Sequence, residues 1–153
     1  LYDFGTRVAL VAAGPGIPGN RVVDDFASLP DLAPTFLDVA QVKHPEKMNA
    51  KSLWPVLSSE KSGQVDPERT WVISGRERHV AGARAGNKPY PQRALRTAEF
   101  LYVRNYATDR TPLGDPLAVA ADSAPPTDKL ENDTMLAFSD MDAGPTKAWL
   151  IAH

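Results

Sequence analysis

The 153 residues contain no cysteine. That excludes a disulfide, a thiolate zinc site and a cysteine nucleophile within these residues. It leaves the redox compartment open. No apolar run approaches the roughly 18 residues that a membrane span needs. Net charge is only −2 and the sequence pI is about 5.9, which argues against a general nucleic-acid binder. There is no leader of charged then apolar residues after Leu1. Thr146–His153 reads as a helix that has barely begun, so both ends are expected to be cut points. The hydrophobic content of 42% still allows one ordinary core.

Charge is scarce in sum but unevenly spread. Residues 76–110 carry a net +5 and residues 115–142 a net −6. Two solvated surfaces that partly neutralise each other account for this. Alternatively, some arginines face an anionic ligand, since the guanidinium fork suits sulfate, phosphate or carboxylate.

Several elements can be placed along the chain. Val8–Ala13 is a continuous apolar run suited to a strand buried on both faces. Gly14–Gly19, with two prolines and three glycines, predicts a sharp loop. Leu32, Phe36, Val39 and Ala40 recur at helical spacing and are expected to face a core, so Ser28–Ala40 predicts a helix. Asp31 could cap it, with Pro34 in the first turn. Ser28 could cap it instead, with Asp31 as an acidic variant of the capping box. Thr70–Ser74 is rich in β-branched and aromatic residues and predicts a strand. Arg93–Asn105 predicts a hairpin turning near Ala98-Glu99, although Ala-Glu is poor chemistry for a two-residue turn. Ala118–Asp133, biased toward Ala, Pro and Asp, reads as a long loop.

The series formed by Leu1–Ala13, Val22–Ala40 and Lys51-Ser-Leu53 resembles the sulfatase family. Its parts are a strand, a proline-glycine turn, a V-D-L-x-P-T-[FL]-L-x-x-A helix and a G-[RK]-S-L step. The usual glycine of that step is Ala50 here. Gly75-Arg-Glu-Arg-His79, Tyr90-Pro-Gln-Arg93, Ala94–Thr97 and Phe100–Asn105 resemble the heparan N-sulfatase (sulfamidase)-like branch. Asp109-Arg-Thr-Pro112 and Asp142-Ala-Gly-Pro-Thr146 fit bacterial members of it.

The resemblance implies an α/β fold. Residues 1–85 would end the large sulfatase α/β catalytic domain, with Val8–Ala13 central in its sheet. Residues 86–153 would begin the small C-terminal α+β subdomain, a small antiparallel sheet with a packed helix. It implies hydrolysis of sulfate esters or N-sulfates of glycans, in the periplasm or outside the cell. It also implies a formylglycine made from a Cys or Ser in C/S-x-P-S-R, and one calcium held by Asp, Asp, Asp and Asn. Neither C/S-x-P-S-R nor D-N-G occurs here. The nucleophile and metal ligands are therefore expected in a missing N-terminal half that the activity needs, and the 153 residues alone are expected to be inactive. The alternative is a non-catalytic glycan- or protein-binding module derived from a sulfatase.

On the same resemblance, Glu77 and His79 are the candidate substrate contacts. They follow a strand expected to end near the rim of the site. A carboxylate accepts bonds from sugar hydroxyls or a nitrogen, and an imidazole donates or accepts. The bland reading is that Glu77 pairs with Arg76 or Arg78 on a surface loop and His79 merely packs. Arg7 reads as a structural pairing behind the site, and Arg93 either lies near the site or braces the C-terminal hairpin. His44 reads as solvated, and Asp24-Asp25 as a strand end and loop.

Overall fold

A computed structural model describes residues 2–80, 82–117, 119 and 124–153. The helices are α1 (Asp3–Thr6), α2 (Leu32–Val39), α3 (Trp54–Leu57), α4 (Thr127–Asn132) and α5 (Pro145–Ala152). The strands are β1 (Trp71–Arg76), β2 (Gln92–Thr97) and β3 (Leu101–Asn105). They form one antiparallel sheet in the order β1-β2-β3. By contacts the chain divides into two compact units. Unit 1 is Leu1–Ser74 with Ala94–Tyr102, and unit 2 is Gly75–Arg93 with Val103–His153.

Unit 1 is organised around Asp31. Ser28 has extended backbone and caps the 3-10 turn Leu29–Asp31, which runs directly into α2. The Asp31 carboxylate accepts the Ser28 backbone N–H at 3.1 Å, so the acidic capping box is the arrangement adopted. Pro34 then falls in the first turn of α2, where its missing N–H costs little. The other Asp31 oxygen accepts the Lys51 N–H at 3.2 Å. The Thr35 hydroxyl donates to the Asp31 carbonyl at 2.6 Å and accepts the Leu53 N–H at 2.7 Å. The D-L-x-P-T helix start and the K-S-L step are thus two halves of one hydrogen-bonded junction. Arg69 completes it, donating to Asp31 Oδ2 at 2.9 Å and to the Lys51 and Ser52 carbonyls at 2.8 and 2.9 Å. Both members of the Asp31–Arg69 pair are buried.

Two further side chains tie the loops of unit 1. Arg21 donates to the carbonyls of Pro18, Leu57 and Lys61 at 3.1, 2.6 and 2.9 Å, which occupies an end carbonyl of α3. The Asp25 carboxylate accepts the N–H groups of Val65 and Asp66 at 2.7 and 2.6 Å. His44 is bonded to Asp38 at 2.8 Å. In the proline-glycine turn Gly16 has φ +77°, and a Cβ there would meet the Trp54 ring at 3.2 Å. Only glycine meets both demands at low cost.

Three sequence expectations fail. The apolar stripe of α2 does not line a core: Phe36, Val39 and Ala40 are exposed, and the helix buries Pro34 and Thr35 at its junction with the Lys51–Leu53 step instead. Val8–Ala13 is not a strand, and Val8, Leu10 and Val11 are exposed. A strand is completed by a neighbour's N–H and C=O groups, and among the described residues no strand pairs with this run. Within Ala118–Asp133, Thr127–Asn132 is the helix α4; Ala118 and residues 120–123 lie outside the described residues. The helix is held by Leu130, which is fully buried with Ala137 and Ala148 of α5. Leu136, Phe138 and Ile151 pack around them. The expected strand and hairpin do form. The hairpin turn closes through Thr97 N–H to the Phe100 carbonyl at 2.9 Å and Phe100 N–H to the Thr97 hydroxyl at 3.1 Å. That side-chain bond supplies what Ala-Glu lacks as turn chemistry.

Candidate functional site

The C-terminal end of β1 carries the candidate residues, and all their partners described here belong to unit 2. Arg76 ends the strand; Glu77, Arg78 and His79 follow it. Arg76 donates from Nε to Gln92 Oε1 at 2.7 Å and from Nη2 to Asp140 Oδ2 at 3.2 Å. Gln92 passes the network on, donating to Asn105 Oδ1 at 2.6 Å. The other Asp140 oxygen bonds His79 Nδ1. One carboxylate therefore holds an arginine and a histidine, one on each oxygen.

The two ends of the His79–Asp140 pair differ in environment. The Asp140 side chain is 4% exposed and that of His79 is 56% exposed. The Asp140 backbone is also tied, its N–H donating to the Leu113 carbonyl at 3.2 Å. Next to it, the Lys147 ammonium donates to the carbonyls of Thr134 and Met141 at 2.8 and 2.9 Å. Lys147 is 1% exposed, and burial pushes its ammonium below the usual lysine range. A buried cation thus closes the loop that carries Asp140.

Glu77 pairs with Arg93 of β2, not with Arg76 or Arg78. Both side chains are about half exposed, so the pair orients more than it stabilises. Gly75 makes room for it. A Cβ at Gly75 would lie 2.9 Å from both the Arg93 Cδ and the Gln92 carbonyl oxygen. Arg93 thus braces Glu77 itself. Arg7 is elsewhere, in unit 1, where its N–H closes α1 on the Asp3 carbonyl at 2.8 Å. Arg78 donates to the Asn87 carbonyl at 2.9 Å.

Sequence reasoning missed Arg76, Gln92 and Asp140 as members of this cluster. Asp140 lies 61 residues from His79, and no local spacing signals that pairing. Unit 1 has a separate cavity of about 320 Å³ lined by Phe26, Asp31, Lys51, Glu68, Arg69 and Trp71 among others. Its charged groups are already paired, Asp31 with Arg69 and Lys51 with Glu68. Among the described residues, no three His, Asp or Glu side chains converge as a metal site. The resemblance places the calcium ligands outside this chain.

Comparison with known proteins sets this geometry in context. Residues 1–72 match the family model described as N-sulphoglucosamine sulphohydrolase, C-terminal. The extracellular sulfatase SULF-1 homolog of Drosophila melanogaster is 35% identical over 82 residues, covering 52% of this chain and 7% of that protein. Arylsulfatase K of Rattus norvegicus is 34% identical over 107 residues, covering 67% of this chain and 18% of that protein. A solved structure of BT4656 in complex with its substrate D-glucosamine-2-N,6-O-disulfate is 28% identical, with a TM-score of 0.41 over 51% of this chain and 15% of that one. The chain spans less than a fifth of the curated relatives it matches.

Proposed function

This chain carries the C-terminal region of a sulfatase, and on that premise we propose that it supplies substrate-side contacts for hydrolysis of sulfate esters or N-sulfates of glycans. The match of residues 1–72 to an N-sulphoglucosamine sulphohydrolase model carries the reading and favours an N-sulfated glucosamine substrate. The geometry agrees with such a role. Glu77 and His79 leave the end of one strand, each held from behind, by Arg93 and by Asp140. A carboxylate and an imidazole oriented in this way suit the hydroxyl and nitrogen groups of an amino sugar.

In this reading residues 1–85 end the catalytic domain and residues 86–153 begin the small C-terminal subdomain. In the intact enzyme formylglycine would supply the nucleophile and calcium the positive charge, both held by residues outside this chain; on this reading these residues alone do not turn over substrate. The parent protein acts in the periplasm or outside the cell; two of the relatives are named extracellular sulfatases. No helix among the described residues is long and apolar enough to cross a membrane.

The test uses the intact enzyme. Glu77→Ala and His79→Ala should each lower kcat/KM on an N-sulfated glucosamine substrate by ~10- to 1000-fold, the cost of a few lost buried polar contacts. Calcium content and formylglycine formation should not change. A small aryl sulfate, which lacks the sugar contacts, should be affected less. Equal losses on both substrates would point to a role in the sulfur chemistry instead. No loss on either would return both residues to a surface loop.

A further inference from the structure

Asp140 has no counterpart among the residues that sequence singled out, yet it touches both His79 and Arg76. We propose that Asp140 is a positioning residue for substrate recognition: it fixes the His79 ring with Nδ1–H toward itself and presents Nε2 to the sugar. This rests on His79 being a substrate contact, as proposed above.

Proton inventory fixes the tautomer. An ionised carboxylate only accepts. The His79 nitrogen bonded to Asp140 must therefore carry the proton, whichever charge state the ring has. In the neutral ring this leaves Nε2 as an acceptor. A sugar hydroxyl or an amino-sugar N–H is the donor it would take. Among the described residues Nε2 has no protein partner, and the side chain is 56% exposed.

The ring is also held rigidly. A histidine on a post-strand loop samples several rotamers unless something holds it. Asp140 can hold it because Asp140 is itself fixed. Its second oxygen is bonded to Arg76, its N–H to Leu113, and the neighbouring Met141 carbonyl to the buried Lys147 ammonium. Arg76 is in turn anchored on Gln92. The charge pattern read from sequence, basic around residue 80 and acidic toward residue 140, is here a specific contact and not only two solvated faces.

The experiment is a double-mutant cycle in the intact enzyme, with an N-sulfated glucosamine substrate. Asp140→Asn keeps the shape and an acceptor oxygen; Asp140→Ala removes both. Asp140→Ala should lower kcat/KM by ~10- to 100-fold, as loss of orientation does, and Asp140→Asn should recover part of it. In a His79→Ala background neither substitution should lower kcat/KM further, because Asp140 acts through the ring. Nitrogen NMR of the ¹⁵N-labelled histidines should show His79 protonated at Nδ1 in the parent and a mixture of tautomers in Asp140→Ala. Losses that persist in the His79→Ala background would mean that Asp140 serves the fold through Arg76, and would overturn the proposal while leaving His79 a contact. An unchanged His79 tautomer in Asp140→Ala would overturn it as well. If His79→Ala itself has no effect, the substrate reading of His79 fails first, and this inference falls with it.

Discussion

Replacing Arg69 with methionine tests the account of unit 1 most directly. Methionine fills much of the arginine stem's volume but donates nothing. Four bonds are lost, to the Asp31 carboxylate and to the carbonyls of Phe26, Lys51 and Ser52. The 3.5 Å ion pair with Asp66 goes as well. Asp31 would remain buried and charged, with only the Ser28 and Lys51 N–H groups left to it. Breaking a buried pair by removing one partner costs about 3–5 kcal/mol. Arg69→Met should therefore destabilise unit 1 by an amount in that range. Urea unfolding followed by tryptophan fluorescence reads it, in a Trp149→Phe background so that Trp54 and Trp71 report on unit 1. The midpoint should fall with little change of slope. Removing both charges in Arg69→Met/Asp31→Asn should cost less than the sum of the single changes, by about 1–3 kcal/mol, since the two share one network. A loss below about 1 kcal/mol for Arg69→Met, the range of an exposed pair, would refute the claim that this pair joins α2 to the Lys51–Leu53 step. Strictly additive losses would refute the coupling.

Four further outcomes are expected. Lys147→Met should cost about 1–3 kcal/mol through unpaired carbonyls, measured by urea titration; because burial lowers the Lys147 pKa, stability of the parent should also rise as pH climbs toward the unfolded value of 10.5, and that slope should vanish in the variant. Asp3 is held below its ordinary value of 3.8 by the bidentate Arg96 contact; its contribution is present above 3.8 and lost as pH falls through the lower folded value, so Asp3→Asn should flatten the acid limb of the stability profile. Leu130→Ala should cost about 2–5 kcal/mol as a cavity between α4 and α5, seen as an earlier unfolding transition reported by Trp149. Gly75→Ala should cost about 1–3 kcal/mol by overpacking and should displace Arg93, which the loss of the Glu77–Arg93 contact in a crystal structure of the variant would register.

Where the signal was local, the sequence by itself determined the element. The start of α2 follows from a Ser-x-x-Asp capping box with Pro34 in the first turn, contacts that lie within a few residues; the face it buries does not, because Phe36 and Val39 are exposed while Pro34 and Thr35 are buried. The β2–β3 hairpin follows from alternation around a short turn. The ordered motifs by themselves point to the sulfatase family. Tertiary structure alone decided the rest, because the deciding partner is remote. Val8–Ala13 has strand composition, but composition supplies no ladder partner. α4 reads as loop because its one deep anchor, Leu130, counts only once α5 is placed against it. Whether Ser28 or Asp31 caps the helix start depends on what else Asp31 binds, and Arg69 is 38 residues away. Asp140 shares no local pattern with His79 across their 61-residue separation; a buried carboxylate acquires that meaning only when folding brings an arginine to one oxygen and a histidine to the other.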